Sequence, residues 1–210
     1  YLAKQLQAQG FKPGVISRGY GGEAETWPQR VIAESDVSKI GDEPVLIVKQ
    51  AQCPVAVGPI RVDAANLLIK QAGCDVILSD DGLQHYALAR DIEVIVIDGE
   101  RRFGNNYCLP AGPLREPQER LFEADFIVCN GGEAEENEIL MQLTGDYAIN
   151  MQSGEKKALH EFSQLKCHAL AGIGNPQRFF NHLAGYRITS KNHEFPDHYA
   201  YTEAEIRYQS

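Results

Sequence analysis

The chain has 210 residues with 43% hydrophobic and 23% charged content, enough for an ordinary packed domain and too balanced for wholesale disorder. Its formal net charge of −9 argues against a nucleic-acid binder, which needs a basic footprint on the phosphates, although a local basic patch stays open. No apolar run approaches the ~18 residues that suggest a membrane span, and no signal-peptide pattern is present.

In chain order, Leu2 to Gln9 reads as the end of an amphipathic helix that Gly10 is suited to close. Val15-Ile16-Ser17 is a short strand leading into the glycine-rich Arg18-Gly19-Tyr20-Gly21-Gly22. Asp42 is expected to cap a helix from Glu43 to Gln50, with Pro44 tolerated in its first turn. Val55-Ala56-Val57 is a strand, and a helix follows from Ile60 to Ala72 with Val62, Ala65, Leu68 and Ile69 on its apolar face. Strands are predicted at Val76–Leu78, Ile92–Ile97 and Phe126–Cys129, with a long Gly/Pro-rich loop from Gly99 to Pro113. Residues 131–138 read as an acidic surface loop and 152–157 as a linker. Beyond it, Ala169 to Pro176 predicts a strand, a tight turn and a helix start, with Asn175 as N-cap and Pro176 at the first helical position. Thr202-Glu203-Ala204-Glu205 is a capping box opening a last helix.

Strands alternating with helices predict an α/β fold with a mainly parallel sheet flanked by helices. The expected division is a large domain over residues 1–152 and part of a smaller α/β domain over 153–210. Five cysteines (Cys53, Cys74, Cys108, Cys129, Cys167) without a C-x-x-C pair fit a reduced, cytosolic setting with neither a disulfide framework nor a thiolate zinc site. Starting on Tyr1 in mid-pattern, the sequence is expected to be a piece of a longer protein.

Val76-Ile77-Leu78-Ser79-Asp80-Asp81-Gly82-Leu83-Gln84-His85 carries the clearest chemistry. Acids at the end of an apolar strand are placed to hold Mg²⁺, which prefers oxygen ligands, or else they form an ordinary Asp-Asp-Gly turn. Gly19 to Ala24 matches G-x-G-x-x-A, but Glu25-Thr26-Trp27-Pro28 starts no helix, so the dinucleotide reading is rejected. An anion or substrate loop using Arg18, or a flexible connector, remains. Asp42 and Glu43 stand at a helix start, where acids stabilise the helix by roughly 0.3–1 kcal/mol without any catalytic purpose. Together with Asp197-His198 they admit a second reading, an Asp–His pair in which the histidine tunes a general base. Arg115 beside Glu116 can serve a phosphate and a metal, or form a surface ion pair. No Gly-Lys dipeptide occurs anywhere, so a Walker A phosphate loop is absent from these residues.

Taken jointly, six stretches resemble one family, the tetraacyldisaccharide 4′-kinases of lipid A biosynthesis. They are Gly14 to Gly22, Gly41 to Ile47, Asp80 to His85, Val96 to Asn105, Leu109 to Glu116 and Ala171 to Phe180. The resemblance runs over essentially the whole chain, in order. It implies an ATP-dependent, Mg²⁺-requiring kinase of P-loop ancestry at the cytoplasmic face of the Gram-negative inner membrane. Its substrate would be the 4′-hydroxyl of a tetraacylated glucosamine disaccharide 1-phosphate, giving lipid IVA.

By position, the resemblance implies Asp42 as general base with His198 as its partner. It implies Asp80 and Asp81 at the nucleotide–magnesium site, Glu116 as a further metal-associated acid, and Arg18, Gln84, His85 and Arg115 as cofactor-binding residues. Two departures stand out: the family's membrane-associating segment with its phosphate loop, and its C-terminal continuation, lie outside this sequence. Membrane contact is therefore expected through an absent segment, and the 210 residues alone are expected to be inactive. Two rival readings are a nucleotide-sugar-dependent glycosyltransferase and a non-catalytic binding module.

Overall fold

The computed structural model describes residues 1–19, 24–197 and 199–208, in two compact units, Tyr1–Met141 and Gln142–Ser210. The first unit begins α1 (Leu2–Ala8), β1 (Pro13–Ser17), β2 (Gln29–Val31), α2 (Val37–Ile40), α3 (Asp42–Ala51) and β3 (Val55–Val57). It continues α4 (Arg61–Ala72), β4 (Val76–Ser79), β5 (Val94–Asp98), a 3-10 turn (Gln118–Glu123), β6 (Phe126–Asn130) and β7 (Glu138–Met141). As expected, α1 closes at Gly10: the Gly10 amide donates to Gln7 O (3.0 Å) and that of Phe11 to Leu6 O (3.1 Å), a Schellman closure.

β1 lies between β3 and β4, parallel to both, and β2 adds an antiparallel edge beside β3. Side chains alternate across the sheet. Val15, Val55 and Val57 join Ala3, Ile40 and Val45 in one core, while Ile16 and Ala56 meet Ala64, Ala65 and Leu68 on the other face. Apolar layers on both faces are what a parallel sheet requires. The buried face of α4 differs from the expected one: Arg61, Ala64, Ala65 and Leu68 are buried and Ile69 is 49% exposed. The small Ala64 and Ala65 pack against the sheet, which turns the helix and brings Arg61 inward. At α3, Gly41 and not Asp42 occupies the cap position, with φ 86°, a conformation that glycine takes without strain.

β5, β6 and β7 form a second, wholly parallel sheet. The acidic loop after β6 thus ends in a strand, Glu138–Met141, that its charges conceal. The turn after β5 passes close to β6: a Cβ on Gly99 would lie 1.9 Å from Gly131 O, so only glycine fits there. Arg102 clamps this sheet through a two-pronged pair with Glu138 (2.7 and 2.9 Å) and a 3.0 Å contact to Glu135.

The Arg102 hydrogen bonds hold the Glu138 carboxyl down from 4.5 to about 2. A depressed carboxyl contributes stability that is complete above its unfolded pKa and is lost as pH falls through the folded one. Chemical denaturation between pH 4.5 and 2 should therefore show stability falling with acid, and Glu138→Gln should flatten that limb. An unchanged slope in the variant would contradict the assignment.

The second unit holds β8 (Tyr147–Ile149), β9 (Lys156–Ala158), a 3-10 turn (Leu159–Phe162), β10 (Lys166–Ala171), α5 (Pro176–Gly185), β11 (Thr189–Glu194) and α6 (Glu203–Ile206). The polar run at 152–157 closes the antiparallel β8–β9 hairpin and starts its second strand, so it is no linker. β10 and β11 pair in parallel, and one face packs on α5 through Ala169, Ala171, Phe180 and Leu183. Asn175 caps α5 by accepting from the Arg178 amide, with Pro176 at the first position, and Glu205 accepts from the Thr202 amide (2.9 Å) in the expected box.

Candidate functional site

Because β1, β3 and β4 are parallel, their carboxyl ends share one edge, where ligands gather in open α/β sheets. Arg18 and Gly19 follow β1, Gly58 and Arg61 follow β3, and Asp80 and Asp81 follow β4. Backbone bonds fix the three exits: Asp80 N donates to Ile16 O (2.8 Å) and Gly58 N to Ser17 O (3.1 Å). Arg61, 4% exposed, donates from Nη1 to Gly58 O at 2.9 Å. Its Nε is shielded from solvent and has no hydrogen-bond partner among the described residues. Burial first, and then neighbouring Arg18, push the guanidinium below its ordinary range, while Asp80 and Asp81 oppose that shift. Two arginines and two carboxylates thus share one electrostatic neighbourhood at this edge.

The start of α3 lies beside the exit of β1. A Cβ on Gly19 would stand 3.2 Å from Ile40 O, so the exit of β1 abuts the junction of α2 and α3. Asp42 is exposed in the first turn of α3, and its Oδ1 accepts from the Glu43 amide at 2.9 Å.

On the β4 side, Arg115 Nη1 meets Asp81 Oδ1 at 2.5 Å and Gln84 Oε1 at 3.3 Å. Gln84 Nε2 donates to Glu116 Oε1 (2.7 Å), and Tyr86 OH donates to Glu116 Oε2 (2.7 Å). Burial acts to raise the Glu116 carboxyl, but Tyr86, Gln84, Arg120 and Arg90 outweigh it and hold the group below the usual carboxylate range. His85 donates its amide to Gly82 O (2.9 Å), and its Nε2 is shielded without a partner among the described residues.

The structure therefore sets Arg18, Asp80 and Asp81 at the carboxyl ends of neighbouring parallel strands, and joins Asp81, Gln84, Arg115 and Glu116 by hydrogen bonds. His198 lies outside the described residues. Mg²⁺ is ordinarily held by one or two carboxylates, with phosphates and water completing its octahedron. Asp80 and Asp81 are a donor set of that size, and among the described residues no cage of three or more ligands gathers. Glu116, expected beside the metal, accepts from Gln84 on one oxygen and from Tyr86 on the other, and an ionised carboxylate keeps further lone pairs beyond those two. Arg61 was absent from the residues singled out in the sequence. A cavity of about 610 Å³ lined by Arg102, Phe103, Phe122 and Glu138 contains none of the carboxyl-edge residues.

The sequence matches the family model described as LpxK: Tetraacyldisaccharide-1-P 4'-kinase over residues 1–209. A tetraacyldisaccharide 4'-kinase of Nitrosococcus oceani is 48% identical over 208 residues, covering 99% of this chain and 61% of its own length. That of Photobacterium profundum is 50% identical over 209 residues, covering 99% and 60%. The chain thus spans about six tenths of these curated relatives. A crystal structure of LpxK from Aquifex aeolicus, an "apo" form in complex with ATP, aligns with a TM-score of 0.71 at 23% identity. The alignment covers 98% of this chain and 70% of that one, and at such identity the likeness is one of fold.

Proposed function

The chain belongs to the tetraacyldisaccharide-1-P 4'-kinase family, and from that membership we propose that it carries the metal-side half of a lipid-kinase site. The reaction moves the γ-phosphoryl group of ATP to the 4′-hydroxyl of a tetraacylated glucosamine disaccharide 1-phosphate, forming lipid IVA. The observation that supports this reading best is the parallel register of β1, β3 and β4, which sets Arg18, Arg61, Asp80 and Asp81 after strand ends that share one carboxyl edge. Carboxylates for a hard cation and guanidinium groups for phosphate oxygens are the parts that phosphoryl transfer needs, since positioning and electrostatics supply most of its rate.

In this proposal Asp42 accepts the proton of the 4′-hydroxyl as that hydroxyl oxygen bonds to the γ-phosphorus. The bond from that phosphorus to the bridging oxygen breaks, and ADP leaves with the electron pair. Asp80 and Asp81 would hold a Mg²⁺ ion, which would supply charge neutralisation for the transferred phosphoryl group. Arg18 and Arg61 face the same charge from the β1 and β3 side, and Arg115 aligns Asp81. Glu116 acts through Gln84 and Tyr86.

The proposed setting is the cytoplasmic face of the Gram-negative inner membrane, because the substrate carries acyl chains. No described helix is long and apolar enough to cross a membrane. The net charge of −9 argues against a nucleic-acid partner. Without a Gly-Lys pair to hold the β/γ-phosphates, the 210 residues alone are proposed not to turn over ATP.

Nucleotide binding to a full-length kinase carrying this sequence tests the reading. Mg²⁺ should tighten ATP binding and leave a UDP-sugar unbound; metal-dependent binding of the UDP-sugar in preference to ATP would favour a glycosyltransferase instead.

A further inference from the structure

In the first unit the sequence motifs end at Glu116, but the side chains joined to it continue through three residues that no motif includes. Arg90 Nη1 donates to Leu83 O at 2.8 Å and to Gly82 O at 3.4 Å. Its Nε meets Glu93 Oε1 at 2.8 Å. The other Glu93 oxygen is taken by Arg120 Nη2, and Arg120 Nε lies 3.4 Å from Glu116 Oε2. Glu116 in turn receives Gln84 and Tyr86, two and four residues after Gly82. The links close a ring: the turn after β4 is gripped at Gly82 and Leu83 by Arg90, at Gln84 and Tyr86 by Glu116, and the two grips are joined through Glu93 and Arg120.

Resting on the kinase reading, we propose that Arg90, Glu93 and Arg120 are positioning residues that lock the Asp80–Asp81 turn in register with the Arg115–Glu116 loop. Three observations carry this. The charges alternate, plus, minus, plus, minus, with Glu93 between two arginines. The side chains of Glu93, Arg120 and Glu116 are only 12%, 13% and 15% exposed, against 66% for Asp81 and 59% for Arg115. A shielded ring therefore supports an open site. Finally, Asp81 has φ 44°, a left-handed turn conformation that aspartate tolerates, and the grips on Gly82 and Leu83 follow it directly in the chain. Removing one member of a shielded ion pair leaves the other's charge uncompensated, so the ring fails as a unit.

The decisive experiment measures Mn²⁺ affinity by water-proton relaxation in a full-length kinase carrying this sequence, with an unreactive ATP analogue bound. Glu93→Gln should weaken Mn²⁺ binding by about 10–100-fold, as loss of a partner behind a metal ligand generally does, with metal-free binding of the analogue unchanged. Tyr86→Phe, which removes one hydroxyl from an exposed side chain, folds normally and should give a smaller loss in the same direction. Mn²⁺ affinity within twofold of wild type in both variants would overturn the proposal, even if their melting temperatures fell. Wild-type protein without nucleotide-dependent Mn²⁺ binding would instead overturn the kinase reading itself.

Discussion

Replacing Asp42 by alanine in a full-length kinase carrying this sequence is expected to lower kcat by about 10²–10⁴, the usual cost of losing a general base. That corresponds to roughly 2.7–5.5 kcal/mol in the barrier. The effect on folding is far smaller. Asp42 is exposed in the first turn of α3, where an acid contributes about 0.3–1 kcal/mol through the helix dipole. Rate and stability therefore separate cleanly in this variant. A kcat within about threefold of wild type would show that Asp42 serves the helix alone, since base removal normally exceeds that by far.

Arg61→Met should be the next most damaging change, lowering kcat by about 10²–10³, the range for losing one donor aimed at developing charge. Methionine preserves much of the buried volume, so packing of α4 on the sheet is largely kept. Lysine keeps the charge but loses the planar fork that reaches Gly58 O, so Arg61→Lys should fall between wild type and Arg61→Met. If Arg61 were only a clip on the β3 exit, the methionine variant would lose melting temperature while the folded enzyme kept its kcat. Paired measurements of thermal unfolding and turnover distinguish the two.

The parts of this fold that were legible in the sequence are those where one physical signal dominates. β1, β3 and β4 are apolar runs bounded by turn residues, and their partners on both faces make them parallel. The α5 start was legible from Asn175 and Pro176, and the α1 end from Gly10. The strands that escaped are those whose signal is diluted. Gln29-Arg30-Val31 is a half-exposed edge, Glu138 hides β7 inside an acidic run, and Thr189 to Glu194 places mostly polar side chains on a strand held by its backbone register to β10.

The site divides the same way. Asp80 and Asp81 stand out in the sequence as carboxylates ending an apolar strand, a pattern that an ordinary Asp-Asp-Gly turn shares. Arg61 carries no motif, yet one signal was available: an arginine in the first turn of a helix opposes the dipole, and such a residue needs a compensating reason. Glu93 and Arg120 could not be paired from sequence, because 27 residues separate them and only the fold closes that distance.

The destination of the phosphate is the most direct test of the proposed site. Incubating a full-length kinase carrying this sequence with γ-labelled ATP, Mg²⁺ and tetraacyldisaccharide 1-phosphate should place the label on the lipid. Phosphorus–proton correlation of the product should then assign it to the 4′ position, with ADP formed in equal amount. Label released only as inorganic phosphate, or attached elsewhere on the sugar, would contradict the assignment of Asp42 and the carboxyl edge of the first sheet to this reaction.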